Sequence, residues 1–134
     1  MVERKPIDAS LVERWAARSR EDIEAASRLI KDGFLRRGVS ILYESGFRVC
    51  LGHVALAGFR IRSAPGHHRA AIEAARGICG VEFDLILGRL DRFRRFRNDD
   101  LYGTSPVPGE TDARQALKDA LELVSSIESA LRDK

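Results

Sequence analysis

Cysteine is scarce in this chain: Cys50 and Cys79 are the only two among 134 residues. They form no CxxC pair and no cysteine and histidine cluster with zinc spacing, which excludes a disulfide framework and a cysteine-based zinc site. Both sit among apolar neighbours and read as buried free thiols. Long apolar runs are missing as well, and none approaches the roughly 18 to 20 residues of a membrane span. The first residues hold no charged-then-apolar signal region. The expectation is a soluble, cytoplasmic protein with no membrane partner. The glycines at positions 80, 88 and 103 precede no lysine-serine or lysine-threonine pair and follow no strand, so a Walker or Rossmann nucleotide site is excluded. No segment alternates strictly between apolar and polar residues, and no strand is expected.

What is present is a composition of 44% hydrophobic and 32% charged residues, enough for one domain to bury a core without disulfides or a structural metal. That domain is read as residues 1–134, with a core of about 8–132. The formal net charge of +3 is modest. Arginine exceeds lysine, however, and it concentrates between Arg89 and Arg97, so local basicity says more than net charge.

Apolar periodicity organises the chain into helices. Asp8 or Ser10 can cap a first helix to about Lys31, with Leu11, Trp15, Ala16, Ser19, Ile23, Ala26, Leu29 and Ile30 on one face and Asp32-Gly33 as its stop. A second, longer segment runs from Leu35 or Arg36 to Arg62. Its glycines at positions 38, 46, 52 and 58 each cost about 1 kcal/mol relative to alanine inside a helix, which implies close contact with neighbouring helices or a kink near Gly46. Ser63-Ala64-Pro65-Gly66 breaks the pattern. A third helix starts near His67 and ends around Cys79-Gly80. A fourth run carries Phe83, Ile86, Leu87, Leu90 and Phe93, either as a separate helix or as one kinked element with the third. After a loop at Gly103 to Gly109, Thr111 or Asp112 can cap a last helix bearing Ala113, Ala116, Leu117, Ala120, Leu121, Val124, Ile127 and Leu131. The fold class is all-α, an antiparallel bundle of four to five helices without solenoid repeats.

The fourth run ends in Arg94-Arg95-Phe96-Arg97-Asn98-Asp99-Asp100-Leu101-Tyr102. Extending its apolar stripe by a turn brings Arg94, Arg97 and Leu101 into line, whereas Arg89, Arg92 and Arg95 fall at other angles and are expected to face solvent. Arginines near a helix C-terminus also complement the macrodipole. Asp99 and Asp100 point about 100° apart on a helix, which suits pairing with Arg94, Arg95 or a partner subunit better than a shared metal. His53 reads as a hydrogen-bonded, partly buried imidazole. His67 and His68, at a helix start, can cap it or bind an anion when neutral. Trp15, Tyr43 and Phe47 read as core rather than a platform for bases. No metal or cofactor is expected.

Arg97-Asn98, three further residues and a ring-bearing residue, placed late in a helical chain of this length, resemble the motif of the HEPN domain family. The order of elements before it is also similar: a long helix with small residues, a short loop, and the helix start Gly66-His67-His68. The resemblance covers residues 8 to 132 and implies a HEPN-like helical bundle, a homodimer, and a role as a ribonuclease toxin, a partner of a nucleotidyltransferase or antitoxin, or an auxiliary domain. The family's motif ends in histidine, and Tyr102 stands in its place. A histidine can move its proton near neutral pH, whereas tyrosine titrates near 10 and is a poor base at pH 7. Binding therefore survives the substitution better than catalysis. The leading expectation is a HEPN-like binding module of a toxin-antitoxin or defence system that engages RNA, a nucleotide phosphate or an acidic partner through Arg94, Arg97, Asn98, Tyr102, His67 and His68. The alternatives are a metal-independent endoribonuclease using Arg97, Asn98 and Tyr102 or a recruited histidine, and a purely structural helical dimer.

Overall fold

The computed structural model describes residues 1–101 and 108–133, and for residues 98–101 the backbone alone. The described chain is all-α apart from one small sheet, in the order β1 (Val2–Arg4), α1 (Ala9–Lys31), α2 (Leu35–Leu56), β2 (Phe59–Ile61), α3 (His67–Cys79), α4 (Asp84–Leu101) and α5 (Glu110–Arg132). Helix α2 is the central element. It packs against α1 and α5, which also touch each other, and against α3 and α4 on its other flank.

Local chemistry sets the helix ends. The Asp8 carboxylate accepts the Leu11 N–H at 3.1 Å and starts α1. At the other end Gly33 takes a φ of +89°. That left-handed turn lets the Phe34 N–H reach the Leu29 carbonyl at 2.8 Å and the Gly33 N–H reach Ile30 at 3.0 Å, so the last carbonyls of α1 are not orphaned. Three intervening residues turn α2 back along α1. Their contact buries Val12, Ala16, Ile23 and Ala26 against Val39, Leu42 and Val49, and Ser19 and Ser45 exchange hydroxyl-to-carbonyl hydrogen bonds across it.

The glycines of α2 are explained by close approach, and the helix runs through Gly46 without interruption. A Cβ at Gly46 would stand 2.8 Å from Cδ1 of Leu90 on α4, and one at Gly52 would meet Ile127 of α5 at 3.2 Å. Gly38 faces Ile30 of α1 at 2.6 Å in the same sense. Gly46→Val should therefore destabilise the fold by about 1–2 kcal/mol despite valine's better helix propensity. A urea midpoint equal to or above wild type would show that α2 and α4 are not in close contact there.

Five expectations from sequence need correction. Helix α2 ends at Leu56 rather than Arg62, because Gly58, with φ +89°, redirects the chain into β2. That strand pairs antiparallel with β1, Glu3 opposite Arg60, and Glu3 binds both Arg60 and Arg62. Strands of three residues are too short for alternation to register. The α5 cap is Gly109, with Asp112 in the first turn accepting the Gly109 N–H at 3.3 Å, in place of Thr111 or Asp112 as cap. Leu123 is buried where Leu121 was expected, and Leu121 is 40% exposed. Cys50 is buried, but Cys79 is only half-buried; burial raises both thiols, Cys79 to about 11. Helices α3 and α4 are separate, divided by Gly80 at φ +81° and a short 3-10 turn at Val81–Phe83. No described helix is long and apolar enough to cross a membrane.

Candidate functional site: an arginine and histidine cleft

The α4 stripe continues from Ile86, Leu87 and Leu90 in the core to Arg94 and Arg97, which are half-buried, while Arg92 and Arg95 are exposed. Arg89 departs from expectation: it is held bidentately by the buried Asp119 of α5, at 2.6 and 2.9 Å. Among the described residues the acid that pairs with Arg94 and Arg95 is Asp91, at 2.8 and 3.3 Å. One helical turn separates Asp91 from both arginines, which makes them side-chain neighbours. The side chains of Asn98, Asp99 and Asp100, and all of Tyr102, lie outside the described residues.

Arg94 and Arg97 form one wall of a cleft of about 600 Å³. The start of α3 lines it too. Pro65 and Gly66, the latter at φ +81°, turn the chain so that His67, His68 and Arg69 reach the same cleft, which Tyr43 of α2 also lines. The structure thus brings Arg94, Arg97, His67 and His68 to one place, although nothing in the linear order of the chain links the histidines to the arginines.

Each of these groups is held. Arg97 donates from Nη2 to Oε1 of Glu44 at 3.0 Å, and its guanidinium lies 5.5 Å from the centre of the Tyr43 ring. His67 Nδ1 is 2.8 Å from the Ala64 carbonyl; a carbonyl only accepts, so Nδ1 carries the proton and the neutral ring has Nε2 as its acceptor. His68 Nδ1 is 2.8 Å from the Tyr43 hydroxyl. Burial pushes the Tyr43 phenol well above its usual range, against the opposing effect of Arg97 and Arg94, so it keeps its proton at neutral pH. Burial, then His67, Arg97 and Arg94, lower His68 to about 4.

Arg69, Arg94 and Arg97 line the cleft with no carboxylate among its described lining residues. The acids that balance them, Glu73, Asp91 and Glu44, are not part of its wall. The N-terminus of α3, which has no side-chain cap, adds to the positive potential at that end. The arrangement suits an anion.

Sequence reasoning missed Tyr43, Glu44 and Phe47 as parts of this site. Tyr43 and Phe47 do belong to the core side of α2, as expected, yet the Tyr43 hydroxyl and the Phe47 ring face the His68 imidazole. The signal available was the hydroxyl itself, since a tyrosine within an apolar stripe needs a polar partner for its O–H. His53 is as expected, buried and 2.9 Å from the Ser126 hydroxyl, with burial lowering its pKa.

The histidines give the fold a pH dependence. An unfolded chain takes up a proton on His68 near pH 6.5, whereas the folded chain resists until about 4. Between those values the unfolded state binds more protons, so stability rises with pH through this window and is lost as pH falls through it; His53 acts in the same direction. The urea midpoint should drop from pH 7 to pH 4.5, and His68→Phe should flatten part of that drop. A profile unchanged in the variant would contradict a depressed His68.

No protein-family model matches the chain, and neither does any curated protein or any solved structure.

Proposed function

We propose that this cleft binds a phosphate-bearing ligand, RNA or nucleotide, with Arg97 and Arg94 as the groups that hold the phosphate. The observation that carries the reading is the convergence of Arg94 and Arg97 with His67 and His68 on one cleft without a carboxylate among its described lining residues. Guanidinium forks match phosphate geometry bidentately, and each arginine has donors left beyond those given to Glu44 and Asp91. The likeness to HEPN binding modules rests on Arg97-Asn98 and the order of helices. In that reading the protein is a homodimer in which two such clefts approach one another, with a nucleotidyltransferase or antitoxin as partner. Purified protein should bind RNA or a nucleotide at low salt, and Arg97→Ala should weaken that binding by at least about tenfold. Absence of binding by the wild type at low salt refutes the proposal.

A metal-independent endoribonuclease is the second reading, and one observation favours it: two imidazoles share the cleft with Arg97 although Tyr102 replaces the motif histidine. In that step the 2′-oxygen bonds to phosphorus as His67 Nε2 takes its proton, the bond from phosphorus to the 5′-oxygen breaks with water protonating the leaving oxygen, and Arg97 stabilises the charge that develops on the phosphoryl oxygens. Cleavage of RNA in EDTA that His67→Ala abolishes would establish it. Intact RNA across pH 5 to 9 would exclude it.

A further inference from the structure

Three rings surround His68, and they do so unequally. Phe47 lies flat against one face, with centroids 3.9 Å apart and planes 3° apart. Tyr43 stands 5.8 Å away at 8°, joined to it by the 2.8 Å hydrogen bond at Nδ1. His67 meets it edge-on at 4.5 Å. Phe47 is 6.4 Å from Tyr43 and 5.9 Å from His67. Those separations place Tyr43 and His67 to the sides of the imidazole, nearly at right angles to the direction in which Phe47 is stacked. No described ring covers the second face of His68, and His68 lines the cleft.

The geometry points to the face of His68 opposite Phe47 as a stacking platform for a nucleobase, so that the cleft takes an unpaired nucleotide whose phosphate lies at Arg94 and Arg97. This rests on the phosphate reading above and names the ligand more closely. A useful platform must be flat, backed and unable to rotate. Phe47 supplies the backing, and the Tyr43 hydroxyl fixes the ring about its last torsion. The imidazole is neutral, so a base stacks on it without desolvating a charge. The cleft falls within the range of about 300–1,000 Å³ typical of small-ligand sites. Every base has a π-face, so the preference is for a base as such and not for one sequence. A base inside a duplex is already stacked on both sides and cannot present a face to His68.

Calorimetric titration with AMP, ribose 5-phosphate and inorganic phosphate tests this, with single-stranded and duplex RNA of one sequence as competitors. Wild type should prefer AMP over ribose 5-phosphate by about tenfold. His68→Ala should bring AMP down to the ribose 5-phosphate level and leave ribose 5-phosphate itself unchanged. His68→Phe keeps a flat ring and should keep the preference, which guards against a folding defect in the alanine variant. Single-stranded RNA that displaces AMP identifies the strand as the source of the base, and failure to displace it identifies the free nucleotide; either keeps the platform. Duplex that competes as well as single strand overturns it. Equal binding of AMP and ribose 5-phosphate, both weakened by Arg97→Ala, overturns the platform and leaves the phosphate site standing. If none of these phosphates or RNAs binds, both readings fall.

Discussion

Replacing Asp119 by alanine should lower the unfolding free energy by about 2–3 kcal/mol, and replacing Arg89 by alanine should cost more. The difference follows from who can reach water. Asp119 is only 6% exposed, at the edge of an apolar pocket formed by Leu42, Ile86, Leu90 and Phe93 between α2, α4 and α5. The Arg89 side chain retains 28% of its exposure. Without Asp119 the guanidinium turns outward and rehydrates. Without Arg89 the carboxylate keeps a single described partner, Gln115 at 2.9 Å, and stays largely shielded from water. The pair is costly to break and yet replaceable. Arg89→Met combined with Asp119→Leu should recover most of the loss, since well-packed apolar side chains often match a buried ion pair. Urea denaturation at pH 7 measures all three variants. An Arg89→Ala protein more stable than Asp119→Ala would show that the carboxylate is better solvated than its burial indicates.

That pair also shows where periodicity stops being informative. On α5, Asp119 and Leu121 lie at equal angles, about 100° to either side of Ala120. Hydropathy favours Leu121 for the core, yet Asp119 is buried and Leu121 is 40% exposed. What decides is which flank α4 covers, and α4 reaches α5 through Arg89, thirty positions earlier in the chain. A stripe fixes the centre of a buried face. It does not fix which edge is roofed.

The helices themselves were legible because their punctuation is local. Asp8, Gly33, Gly66 and Gly80 each act through a cap or a positive φ that depends on immediate neighbours. The sheet was illegible for the opposite reason: Val2–Arg4 and Phe59–Ile61 are three residues each and gain their order from pairing across the chain. The site divides in the same way. Arg94 and Arg97 could be separated from Arg92 and Arg95 by helical angle alone, and burial agrees. Their meeting with His67 and His68 depends on α3 and α4 both packing on α2, a tertiary fact that no spacing encodes. Tyr43, Glu44 and Phe47 were missed for that reason, since their polar and ring partners lie on α3 and α4.

Removing both arginines of the cleft should weaken RNA or nucleotide binding by about a hundredfold or more while leaving the fold nearly intact. The two halves of that expectation have separate causes. Arg97 pairs with Glu44 at a half-exposed position, where such pairs contribute about 1 kcal/mol or less, and the less exposed Asp91 keeps Arg95 as a partner when Arg94 is removed, so Arg94→Ala with Arg97→Ala should unfold close to wild type. In the cleft the same two side chains face a ligand without a competing described carboxylate on the wall, and a charge-assisted bond lost there is not replaced. Salt dependence separates one shared phosphate from two. For a single strand each neutralised phosphate contributes about 0.7 to the slope of log affinity against log salt. Both arginines on one phosphate should lower the slope by about 0.7 in the double variant, and a phosphate on each by about 1.4. A double variant with the wild-type slope would place the phosphates on other cations, such as the exposed Arg92 and Arg95 on the outer side of α4, and would remove the cleft from nucleic-acid binding altogether.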